Sequence, residues 1–224
     1  MKKSALLIGA SGDIGMKIAK QLLNEGYFTY LHYNKNIESI RTLTDTHYDK
    51  QFIAVQADLS TEEGLEKLLK EISIPVDTIV YNAGISYYGL MTEISQEEIK
   101  RMIQLHITSL YTSVQHFLPN MIKNKYGNIV VISSIWGQVG ASCEVLYSMT
   151  KGGQISFVKA LAKEVSLSGV RVNAIAPGAI ETSMLQQFTE EELQFLTDEI
   201  PIGRLGRPEE IADAVNFLLS DRST

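Results

Sequence analysis

The chain has 224 residues, a mass of 24.9 kDa, 45% hydrophobic residues and a mean hydropathy near zero, which predicts one domain over 1–224 with a full core. A net charge of −6 and a pI of about 5.3 exclude the basic face that nucleic-acid phosphates require, and a single cysteine excludes an internal disulfide. No apolar run reaches membrane-spanning length, and the stretch after Met1-Lys2-Lys3 is interrupted by Gly9 to Asp13 too early for a signal peptide, so a cytoplasmic protein with no membrane partner is expected.

In chain order, Ala5-Leu6-Leu7-Ile8 reads as a buried strand that runs into Gly9-Ala10-Ser11-Gly12-Asp13-Ile14-Gly15 and then into an amphipathic helix from Met16 to Asn24. A strand, a glycine-rich turn and a helix opening directly after it form a pyrophosphate cradle, because backbone N–H groups and the helix dipole face the phosphates. Phe28 to Tyr33, Phe52 to Gln56, Thr78 to Tyr81, Ile129 to Ile132 and Val170 to Ala176 read as further strands, alternating with helical patterns. Such alternation predicts right-handed crossovers and a doubly wound parallel α/β sheet with helices on both faces. Ser60 with Glu63, and Ser95 with Glu98, have capping-box spacing; Gly26 and Gly169 follow helical segments as stops. Ile155, Val158, Ala162 and Val165 follow a helical period, so the helix that carries Tyr147 packs one face firmly.

Tyr147 and Lys151 carry the chemistry. Positions i and i+4 share a helix face, so the Lys151 ammonium is expected to lower the phenol pKa from its ordinary value near 10 and make Tyr147 a usable general acid. Of the ten tyrosines only this one has Lys at +4. Ser134 lies thirteen residues earlier, at the end of an apolar strand, where its hydroxyl would reach the mouth of a site. Ser133 and Ser134 point to opposite faces if both lie on the strand, and Ser133 is read as a packing hydroxyl. The four histidines show no metal-ligand spacing, so no metal is expected. The second strand ends Leu31-His32-Tyr33-Asn34-Lys35 with no carboxylate for a ribose 2′-hydroxyl, and Lys35 would attract a 2′-phosphate, which predicts NADPH over NADH.

With these residues in order, the chain resembles the classical short-chain dehydrogenase/reductases, single-domain Rossmann-fold enzymes that move hydride between a nicotinamide and a carbonyl or alcohol carbon. The resemblance runs from the glycine turn to Asp221. It implies cofactor contacts at Gly9, Ser11, Gly12, Asp13, Ile14 and Gly15, at Tyr33, Asn34 and Lys35, and at Asp58-Leu59 beside the adenine. It implies further contacts at Asn82-Ala83-Gly84, at Tyr147 and Lys151, and at Pro177, Gly178, Ile180 and Thr182. In the implied reaction Ser134 orients the carbonyl, Tyr147 gives its proton, and Lys151 lowers the Tyr pKa and holds the ribose. The tail from Arg204-Leu205-Gly206-Arg207-Pro208 to Leu219 resembles bacterial 3-oxoacyl-acyl-carrier-protein reductases. Ser133-Ser134-Ile135-Trp136-Gly137 through Tyr147-Ser148 is similar to elongation factor P 5-aminopentanone reductases, which reduce a ketone attached to a lysine of that factor.

Three positions depart from the family. Asp13 stands where the middle glycine is common, and its carboxylate must point away from the pyrophosphate. His106 stands where the family has a catalytic Asn that holds a water leading to the Lys; it either holds that water through a ring nitrogen or is a helix residue without a catalytic role. The chain also ends at Thr224, before the family's last strand. Trp136 and Glu144 are expected at the substrate, where Glu144 either holds a substrate ammonium or serves as a helix N-terminal carboxylate. The expected partner is a ketone, free or carried on acyl carrier protein or elongation factor P, and a homotetramer through the helices of His106 and Tyr147 is implied. A non-catalytic nucleotide-sensing or scaffold protein is the alternative of another class.

Overall fold

The first apolar run is buried along its whole length, as a central strand covered on both faces must be. In the computed structural model, which describes residues 3–43 and 51–223, this run is β1 (Ser4–Ile8). It is joined by β2 (Phe28–Tyr33), β3 (Phe52–Gln56), β4 (Thr78–Tyr81), β5 (Gly127–Ile132) and β6 (Val170–Ile175). All pairings are parallel and the order is β3-β2-β1-β4-β5-β6, the doubly wound Rossmann topology. The period of two sends Leu6 and Ile8 to one face and Ala5 and Leu7 to the other. On the first face lie α3 (Glu62–Glu71), α5 (Ser109–Asn124) and α7 (Val145–Val165), which insert Leu65, Leu68, Val114, Phe117, Val158, Leu161 and Val165. On the second lie α1 (Asp13–Asn24) and α9 (Pro208–Leu219), with Ile18, Leu22, Ile211 and Val215; α2 (Glu38–Arg41) and α6 (Trp136–Val139) are single short turns.

The order reverses between β1 and β4, which opens a crevice at the C-terminal ends of those strands. Several local readings shift. Helix α1 begins at Asp13 rather than Met16, because Gly12 takes the extended N-cap conformation immediately after the turn. Helix α3 is capped by Thr61, whose side chain accepts from Gly64 N at 3.1 Å, rather than by Ser60. Ser60 turns instead to Asp58, donating to Oδ1 from its amide at 3.0 Å and its hydroxyl at 2.6 Å. The Ser95–Glu98 capping box is present and starts α4 (Gln96–Ile103). Between α4 and α5 the backbone makes a π-turn, Gln104–Thr108, a distortion that frees carbonyls and is frequent near functional sites. The Leu105 carbonyl accepts from the Tyr81 hydroxyl and the His106 carbonyl from Gln154 Nε2 at 2.9 Å. Among the described residues no helix is long and apolar enough to cross a membrane.

His32, read from the sequence only as a strand position, joins three strand ends. It is 3% exposed; its Nδ1 accepts from Gly9 N at 3.1 Å and its Nε2 lies 3.0 Å from the Ala57 carbonyl. A backbone N–H can only donate, so Nδ1 is the unprotonated nitrogen and Nε2 carries the hydrogen given to Ala57. A second proton would break the bond to the glycine turn, and burial lowers the pKa to about 4. The unfolded chain binds this proton near 6.5, so the stability that neutral His32 contributes is full above pH 6.5 and is lost as pH falls toward 4. Urea midpoints measured between pH 7 and pH 4.5 are expected to show a loss of roughly 2–3 kcal/mol from this group. His32→Gln, which keeps a donor and an acceptor but does not titrate, is expected to flatten that dependence.

Candidate active site

The glycine turn is shaped by close approach. Gly9 has φ +83°, and a Cβ there would stand 2.6 Å from Ala83 N; the Asn82 side chain donates to the Gly9 carbonyl at 2.9 Å and pins the turn against the loop after β4. The N-cap Gly12 makes no side-chain bond to the first turn of α1, so its amides are not satisfied by a capping side chain. At Gly12 and Gly178 the space where a Cβ would stand is open. Both line a cavity of about 850 Å³ that runs from the glycine turn to Tyr147. Exposed helix N-terminal donors, no Cβ on either wall and this volume fit a dinucleotide with its pyrophosphate at α1.

Of the residues expected at the cofactor, Ser11, Asp13, Ile14, Asn34, Asp58, Leu59, Asn82, Ala83, Gly84, Pro177, Ile180 and Thr182 line this same cavity, with Gly9, Gly12 and Gly178. Gly15 does not: a Cβ there would stand 2.1 Å from the Gly9 carbonyl, so its role is to let α1 close on the turn. Tyr33 and Lys35 are not lining residues either. Lys35 acts at a distance. Burial raises the Asp58 carboxyl, but two bonds from Ser60 and the charges of Arg101 and Lys35 outweigh it and leave the pKa below the ordinary value.

Ser134 follows β5, and Tyr147 and Lys151 occupy the first two turns of α7. Two bonds cross between these elements: Ser133 Oγ donates to the Lys151 carbonyl at 2.9 Å, and Lys151 Nζ donates to the Ile132 carbonyl at 2.9 Å. Lys151 is 4% exposed, and burial lowers its pKa to about 7. Its Nζ stands 5.6 Å from the Tyr147 ring centroid. The expected lowering of the Tyr147 pKa is not what this geometry produces. Burial of the phenol raises it, Glu144 raises it further, a hydrogen bond with Ser134 lowers it, and the net result is pushed up to about 12. The physical reason is that removing the phenol from water outweighs its hydrogen bond with Ser134. Tyr147 therefore keeps its proton at pH 7 and stands at the cavity wall as a donor. Trp136 and Glu144 line the same end, and the Trp136 amide donates to Ser134 Oγ at 3.2 Å.

Of the two readings of His106, the geometry agrees with the one in which it holds no water. It is fully buried in the π-turn and does not line the cavity. Its Nε2 accepts from Ile85 N at 3.0 Å, so Nδ1 carries the hydrogen, directed at Thr150 Oγ1 at 2.8 Å; Thr150 in turn donates to the Tyr147 carbonyl at 3.0 Å. Both ring nitrogens are thus committed to protein groups and neither is left to hold a water. Burial, with the nearby Lys151 charge, lowers its pKa well below the ordinary value and keeps it neutral. His106 straps the loop after β4 to the helix that bears Tyr147 and Lys151.

The sequence reading missed the wall that closes the substrate end. Met184 and Leu185 from the 3₁₀ turn Ser183–Gln187, Phe188 just after it, and Phe195 and Leu196 from α8 (Glu190–Asp198) line the cavity. Phe188 meets Tyr88 edge-on at 5.9 Å, and the Asp13 carboxylate, pointing out of the turn, accepts from Ser183 N at 2.7 Å. The signal was the Thr189–Glu192 capping box, which marks a helix among apolar positions.

A Rossmann sheet with Ser, Tyr and Lys gathered at the end of a dinucleotide crevice defines an oxidoreductase, and the chain belongs to the short-chain dehydrogenase family, whose model matches residues 3–193. Its enzymes act on carbonyl or hydroxyl groups with NAD(P)H. The chain is 51% identical to the oxidoreductase YmfI of Bacillus subtilis, over 100% of this chain and 94% of that protein. It is 32% identical to a 3-oxoacyl-[acyl-carrier-protein] reductase of Staphylococcus aureus (100% and 93%) and 37% identical to one of Aquifex aeolicus (98% and 90%). Replacing Tyr147 by Phe preserves ring volume and removes the only proton the ring can give. The expected result is a kcat loss of about 10²-fold or more in steady-state assays, with NAD(P)H affinity by fluorescence titration changed by no more than about twofold.

Proposed function

We propose that the protein is an NADPH-dependent reductase that turns a ketone into a secondary alcohol. The observation that supports it best is the convergence of Ser134, Tyr147 and Lys151 on the wall of one cavity that continues to the glycine turn. Ser134 gives a hydrogen bond to the substrate carbonyl oxygen, and Tyr147, protonated at neutral pH, gives its proton to the oxygen as negative charge develops there. Lys151, in its ammonium form, stabilises the phenolate left behind. The bound nicotinamide supplies the hydride. A preference for the 2′-phosphorylated cofactor is supported by two cations, Lys35 and Arg101, both close enough to act on Asp58, and by the absence of a carboxylate at the end of β2. Self-association through α5 and α7 is supported by Tyr111 and Met149, 55% and 57% exposed on those helices. Kinetics with both cofactors and an activated ketone test the reading: a higher kcat/KM with NADPH is expected, and equal or higher values with NADH contradict it.

One residue favours a particular substrate. Glu144 is the N-cap of α7 yet its side chain makes no capping bond; it is half-buried in the cavity wall, and burial raises its carboxyl pKa. Glu191 and Glu199 line the cavity as well. A carboxylate placed there without a capping bond suits a substrate ammonium, as in an aminopentanone carried on a lysine of elongation factor P, and an ammonium would offset the charge that raises Tyr147. A neutral 3-oxoacyl chain has no group that uses it. Glu144→Gln is expected to lower kcat/KM for an aminated ketone by about 10-fold, corresponding to about 1.5 kcal/mol, while a neutral ketone of similar length is little affected. Equal losses on both would reduce Glu144 to a support of the loop.

A further inference from the structure

Asp13 sits where an anionic cofactor needs donors and where a carboxylate is a disadvantage. It is the first residue of α1 and lines the cavity beside Gly12 and Ile14. Its Oδ2 accepts from the backbone N–H of Ser183 at 2.7 Å, across 170 residues of chain. Ser183 opens the segment that runs through the 3₁₀ turn and α8 and walls the substrate end with Leu185, Phe188 and Leu196. This lid is rooted at the bridge between Ile180 and Gly206, where Glu181 N donates to the Gly206 carbonyl at 2.8 Å. On the substrate side it touches Tyr88. The Asp13 bond joins it to the cofactor turn. Lys17, one turn further along α1, is paired with Glu209 at 2.6 Å, so the nearest cation on the helix is directed to α9.

We propose that Asp13 is a positioning residue that latches the substrate lid to the cofactor turn, weakening the turn's hold on a pyrophosphate while keeping the lid over the substrate. The two effects have one cause and opposite signs. A carboxylate at the N-terminus of α1 repels the phosphate charge that the helix amides attract. The same carboxylate makes a charge-assisted bond that a glycine in its place cannot make. A residue that merely stabilised the turn would, on removal, weaken cofactor and substrate together; a latch predicts that they move apart. The proposal rests on a dinucleotide occupying this cavity, and amide exchange and cofactor titration read it without turnover.

Asp13→Ala and Asp13→Asn in the full chain separate charge from hydrogen bond. Fluorescence titration is expected to show both variants binding NADPH several-fold tighter, a gain that shrinks at high salt. Hydrogen exchange of the peptide containing Ser183 is expected to speed up about tenfold in Asp13→Ala and less in Asp13→Asn, which keeps a neutral acceptor. Ketone KM should rise with it in Asp13→Ala while kcat changes less. NADPH binding that weakens or stays the same in Asp13→Asn would overturn the proposal, as would unchanged exchange at Ser183 in a folded Asp13→Ala. If Asp13→Ala does not fold, the NADPH affinity of Asp13→Asn and its salt dependence decide the matter.

Discussion

The buried amine of Lys151 is the constraint on which the site depends. A lysine head group taken out of water at 4% exposure must be held by directed bonds, and here the Ile132 carbonyl holds it at 2.9 Å. That bond, with Ser133 Oγ on the Lys151 carbonyl, fixes the first two turns of α7 against the end of β5. Tyr147 inherits its position from this register. Burial also lowers the Lys151 pKa to about 7, and burial keeps the phenol beside it protonated. A donor with a tunable cation next to it follows from one desolvated group rather than from a bare ion pair.

Around this centre two neutral histidines act as struts. His32 ties the glycine turn to the end of β3, and His106 ties the loop after β4 to Thr150 in α7. In each ring a backbone N–H selects the acceptor nitrogen and so sets the tautomer. The two struts stand on either side of the β1–β4 crevice, where the walls of a dinucleotide site must be held at fixed separation. The π-turn that carries His106 is stabilised by two donors to its freed carbonyls, the Tyr81 hydroxyl to Leu105 and Gln154 Nε2 to His106. Asp13 adds a further tie, from the glycine turn to the lid.

The strands and the cradle were legible because a buried parallel strand leaves an uninterrupted apolar run and a glycine turn leaves its residues in order. Ser134, Tyr147 and Lys151 were legible as a spacing and do meet in one cavity. What the residues do to one another was not. Whether Lys151 lowers the Tyr147 pKa depends on how dry the pair is, which no spacing encodes. The sequence left His106 open between a water holder and a helix residue without a catalytic role, and only the fold shows that Ile85 and Thr150 take both nitrogens. Ser60 and Thr61 are adjacent and equally able to cap, and the competing acceptor on Asp58 decides between them. The lid carries no chemical motif, so its place over the substrate end follows from tertiary packing alone.

The most direct measurement is the titration of Lys151 itself. Lysine labelled at Cε, in the full chain without cofactor, with Lys151→Met to assign the resonance, reports its protonation by NMR. An apparent pKa near 7 is expected from burial. Titration near the ordinary value of 10.5 would contradict it: the amine would be solvated, Tyr147 would face a full positive charge at neutral pH, and the site would work as a simple ion-paired acid.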